Sequence, residues 1–161
     1  MNTRSTFGIH SLLILISSIV VATFFVWPLL RTLPVEKALL WLVVPHMFFR
    51  FIGLSFLVPG VVSPSLPRAW AIPAAYGDLV AGVLAIIAAL ALSHMAGWAV
   101  AAVWIFNVWG MVDLLYALYV GLARVNLDPG SLGAAYYLVT TIVPVLMVSH
   151  VLIFMLLLSR A

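Results

Sequence analysis

Five long apolar runs constrain this chain more than any other feature. They cover residues 9–30, 38–58, 71–92, 97–122 and 133–158. A run of about 18 or more apolar residues is long enough to cross a bilayer as a helix. The breaks between the runs carry turn chemistry. Arg31-Thr32-Leu33-Pro34-Val35-Glu36-Lys37 separates the first two, and Pro59-Gly60 through Ser63-Pro64-Ser65-Leu66-Pro67-Arg68 separates the next two. Ser93-His94-Met95-Ala96 is short enough to make the third and fourth runs an antiparallel hairpin. Asn126-Leu127-Asp128-Pro129-Gly130-Ser131 makes the last break. No run alternates with the period of two that a barrel strand needs. The expectation is therefore an all-α, single-domain, multi-pass membrane bundle of five transmembrane helices.

Composition agrees. The chain is 66% hydrophobic and 7% charged, where soluble domains carry roughly 25% charged residues. Its seven Lys and Arg residues raise the pI to about 9.7 but are scattered singly, so they form no phosphate-binding face and nucleic acid is excluded as a partner. With no cysteine, disulfides, thiolate metal sites and a cysteine nucleophile are excluded as well. Arg4 ahead of the apolar stretch 12–27 resembles the start of a signal peptide. The stretch ends in Trp27-Pro28 with no small-x-small cleavage site, so it reads as the first membrane helix. Five spans put the termini on opposite sides. Arg4, Arg68 and Arg124 fall near the N-terminal side, and Arg31, Lys37 and Arg160 near the other. The positive-inside rule is tied by these counts, which leaves single and dual orientation both open.

Three ionisable residues inside the runs are the strongest pointer to a site: Arg50, Asp78 and Asp113. A charge at that depth costs a few kcal/mol or more unless paired or wetted. Counted from the N-terminal side, the three lie about seven to nine residues in, which is one common depth of roughly 10–14 Å. Ser17, Ser18, Thr140 and Thr141 count to the same layer. Each charge also lies on a face fit to meet protein. Asp78 shares its face with Ala74, Ala81, Gly82, Ala85 and Ala89. Asp113 lies on the stripe Asn107, Gly110, Ala117, Gly121, and Arg50 on the stripe Val43, His46, Gly53, Leu57. One Arg with two Asp is short of a positive charge. Either one Asp holds a proton, or a cation or cationic ligand completes the cluster. The bland alternative is an ion pair that only locks the bundle.

His46 and His150 form a second layer, each about eight residues from the far side. Two histidines from different helices at one depth are candidate ligands for haem b or a metal ion. Otherwise each bonds a carbonyl freed by Pro45 or Pro144, or His46 extends the charged layer as a proton relay. Trp27, Trp41, Trp70 and Trp98 fall near span ends as interface anchors do, while Trp104 and Trp109 lie deeper. Phosphate loops, HExxH, nucleophile elbows and dinucleotide fingerprints are absent. In helix number, length and tryptophan content the chain resembles the tryptophan-rich sensory protein (translocator) family and small sterol-isomerase-type bundles. Neither the tryptophan- and proline-containing motifs of the first nor the His/Glu/Asp set of the second is present, so no site residue is carried over.

The leading expectation is a bundle with a cavity in its N-terminal-side half, lined by Arg50, Asp78, Asp113, Asn107 and Tyr116, with His46 and Trp109 adjoining. It would bind or move a small amphipathic or cationic ligand with proton coupling through Asp113 or Asp78, using no cofactor. The rivals are a membrane enzyme acting on an isoprenoid- or sterol-like substrate by Asp acid/base chemistry, a haem or quinone protein using His46 and His150, and a structural subunit. Membrane lipid is the expected surrounding partner, and a homo-oligomer is compatible with the sequence.

Overall fold

In the computed structural model, which describes residues 2–159, every regular element is a helix. Five are long and apolar enough to cross a membrane: α1 (Thr3–Leu30), α2 (Val35–Leu57), α3 (Arg68–Ser93), α4 (Ala99–Arg124) and α5 (Leu138–Leu158). Arg160, counted above, lies outside the described residues.

Element ends follow local chemistry. α1 begins earlier than the apolar run because Asn2 caps it, its side chain accepting the Ser5 N–H at 2.8 Å. α5 begins later than expected. The stretch Pro129–Ala135 is a tight 3-10 segment in which Gly133 takes φ +54. A Cβ there would collide with the Val61 carbonyl, and this close approach lets Ala134 N–H donate to Val61 O at 2.9 Å. Ser63 N–H donates to Ser131 O at 3.0 Å, so the α2–α3 and α4–α5 loops seal one end together. At the other end the short turn after Ser93 joins α3 to α4, with Met95 in the left-handed region at φ 51.

α3 is the central helix. Its alanines Ala75, Ala81, Ala85 and Ala88 are fully buried, and small side chains let α2 and α4 approach closely without leaving voids. α1 is peripheral: no residue of Thr3–Val21 is buried.

α2 is interrupted at a useful place. Pro45 lacks an N–H, so regular bonding fails around it and Met47 N–H turns to Val44 O at 3.0 Å. Beyond Arg50 the helix tightens to 3-10 geometry through Leu57. Two apolar cores result. One contains Leu39, Val43, Val103, Phe106 and Ile153, and the other Phe56, Trp70, Leu132, Ala135 and Leu138. A buried polar cluster built on Arg50 belongs to neither.

Candidate functional site: a shared guanidinium

Arg50 has no exposed surface, and its four terminal N–H groups are all taken by protein. Nη1 donates to Asp78 Oδ1 at 2.7 Å and to Asp113 Oδ2 at 3.0 Å. Nη2 donates to the Gly110 carbonyl at 2.7 Å and to His150 Nε2 at 2.8 Å. Arginine suits this position because its planar fork directs several donors at once and keeps its charge when buried. The expected meeting of Arg50, Asp78 and Asp113 is therefore direct.

The histidine state follows from the bonds. His150 Nδ1 lies 2.7 Å from Asn107 Oδ1, while Asn107 Nδ2 donates to the His150 carbonyl at 3.2 Å. With the amide nitrogen committed as donor, Asn107 Oδ1 is the acceptor and His150 Nδ1 carries the proton. Nε2 is then a lone-pair acceptor for Arg50, which fixes His150 as a neutral imidazole. His46 belongs to the same group. Its ring centroid lies 4.5 Å from that of His150, and its Nε2 is 3.2 Å from Ser149 Oγ. Ser149 in turn donates to Leu42 O at 3.4 Å, at the interruption made by Pro45.

The charge layer and the histidine layer are thus one cluster. Depth counted along Cα positions places His150 apart because it ignores the reach of Arg50, roughly one helical turn. The haem reading does not fit. Both ring nitrogens of His150 are engaged, and direct contact of the two imidazoles leaves no room for a porphyrin between them. Among the described residues no group of three or more His, Cys, Asp or Glu could hold a metal ion.

Three glycines make the cluster possible. A Cβ on Gly53 (α2) would strike the Asp78 carboxylate, one on Gly77 (α3) the Asp113 carboxylate, and one on Gly110 (α4) His150 and Arg50 Nη2. Each helix that supplies a charge also supplies a glycine that admits a neighbour's polar group. The sequence offered a signal for this, since each of these glycines stands within three residues of a charge.

Other expected members lie elsewhere. Thr140 and Ser18 spend their hydroxyls within their own helices, on Tyr136 O at 2.9 Å and Ile14 O at 2.7 Å. Trp109 and Tyr116 are on the outer surface, 45% and 52% exposed. Trp109 Nε1 donates to Gly77 O at 3.2 Å, tying α4 to α3. The expected cavity among Arg50, Asp78, Asp113 and Asn107 is instead filled by these side chains themselves. Only the two carboxylates reach the surface, with 10% of each side chain exposed. Within the cluster, two buried atoms have no hydrogen-bond partner among the described residues, Arg50 Nε and His46 Nδ1.

The chain belongs to a family of unknown function, DUF8737, whose model matches residues 6–158. Neither curated proteins nor solved structures contain a match to it.

Proposed function

We propose that this chain is a five-span integral membrane protein whose Arg50–Asp78–Asp113 cluster takes up a positive charge. The charge is a proton, or the cationic group of a small amphipathic ligand, and exchange between the two couples the ligand to protons. One observation carries this reading: a single buried guanidinium serves two carboxylates. With both ionised the cluster sums to one negative charge, which hydrocarbon surroundings disfavour strongly. His150, neutral and used as an acceptor, does not offset it. Asp113 is the exchanging group. Its bond to Arg50 is the longer of the two, 3.0 Å against 2.7 Å.

The test is infrared difference spectroscopy on protein in lipid nanodiscs. Wild type should show a protonated-carboxyl band that Asp113→Asn removes and that tetraphenylphosphonium, a lipophilic cation, erases. Asp113→Asn should keep a melting temperature close to wild type, because Asn retains the shape and removes the surplus charge. A variant that melts much lower, with no carboxyl band in the wild type, would make the cluster a structural lock and overturn the reading.

A further inference from the structure

Both apolar cores close the cluster along the helix axes, so approach from either end is blocked by side chains such as Phe56 and Leu132 on one side and Phe106 and Ile153 on the other. The lateral direction differs. Asp113 Oδ1 lies against Gly77, where a Cβ would collide with it, so the carboxylate sits in the α3–α4 seam at a point without a side chain. At 100° per residue, Trp109 and Tyr116 fall about 40° and 60° to one side of Asp113, and Gly110 about 60° to the other. Asp113 is therefore at the lip between the buried cluster and the exposed aromatic face.

The same seam carries an apolar surface groove of about 250 Å³, lined by Leu84, Ile87, Trp98, Ala101, Ala102 and Ile105. On α4, Ile105 is eight residues from Asp113, or roughly 12 Å along the helix. On α3, Leu84 lies two turns from Gly77 on the same face. An acid at the lip, exposed aromatic rings beside it and an apolar groove two helical turns further along the same seam, beyond the Trp109 indole that donates to Gly77 O, match one shape: a cationic head with a single hydrocarbon tail long enough to cross Trp109. The rings add attraction for a cation.

We infer that the α3–α4 seam binds a single-chain, amine-bearing amphiphile entering sideways from the lipid, with its ammonium on Asp113 and its tail in the Leu84–Ile105 groove. This rests on the charge-uptake reading above and names its ligand class. The probe is octadecylamine brominated at mid-chain, which quenches tryptophan on contact, with the alcohol of the same chain as control. In nanodiscs the amine should quench wild-type fluorescence saturably, and the alcohol only in proportion to its concentration in the lipid. Asp113→Asn should weaken amine binding by about tenfold or more, as loss of a charge-assisted contact implies. Ala101→Phe, an exposed position away from the cluster, fills the groove and should weaken binding of the long amine but not of a short-chain amine. Equal quenching by amine and alcohol, or amine binding indifferent to both variants, would overturn the inference. If the Asp113 infrared band is present and cation-sensitive while amine quenching is unsaturable, the seam assignment falls and charge uptake stands. If the band is missing too, both fall.

Discussion

Arg50 holds two acids, a carbonyl and an imidazole at once, so its replacement tests several contacts together. Arg50→Leu leaves two carboxylates without their cation, and breaking a buried pair from one side costs about 3–5 kcal/mol. The variant should melt far below wild type or fail to accumulate. Adding Asp78→Asn and Asp113→Asn to Arg50→Leu removes the orphaned charges and should recover part of the loss. No recovery in the triple variant would mean that shape, not charge, dominates at this position. Arg50→Lys keeps the charge but has a compact head with three donors and no planar fork. It should fall between wild type and Arg50→Leu in the same melting series.

The helices meet where glycine lets them. An alanine at Gly77 or Gly110 places a methyl on the Asp113 carboxylate or on His150, and overpacking of this kind costs about 1–3 kcal/mol. Gly8, on the outer face of α1, has nothing within 4 Å of a built Cβ. Gly8→Ala should match or exceed wild type, since alanine favours helix by up to about 1 kcal/mol over glycine. Melting temperatures of the three single variants check this, and a Gly77→Ala protein as stable as Gly8→Ala would remove the close-approach account. The elements were largely legible in the residues: run length marked the five helices, and shared helical faces, rich in small residues around Asp78, pointed Arg50, Asp78 and Asp113 inward. Contacts that depend on side-chain reach and helix irregularity were not. His150 reads as a separate layer until Arg50 spans the difference. Tyr116 and Trp109 sit within one turn of Asp113 yet face outward, because Asp113 stands at the edge of its stripe and a wheel angle does not say where the neighbouring helix ends.

The whole molecule makes a topological prediction that the absence of cysteine makes easy to read. Ser5 and Ser65 lie near one end of the bundle, Thr32 and Ser93 near the other, and all four are exposed. In sealed vesicles, single cysteines at Ser5 and Ser65 should share one labelled fraction with a membrane-impermeant thiol reagent. Cysteines at Thr32 and Ser93 should give the complementary fraction, whether the protein inserts in one orientation or in two. Labelled fractions at the two ends that do not add up to the whole population would contradict five spans. At the same scale, charge balance is the property on which the proposed function depends. Protein in weakly buffered nanodiscs, with a pH indicator outside, can be saturated with tetraphenylphosphonium while released protons are counted. Wild type should release one proton per chain and Asp113→Asn none; cation binding without proton release, or identical release from both proteins, would contradict the claim that Asp113 exchanges one positive charge for another.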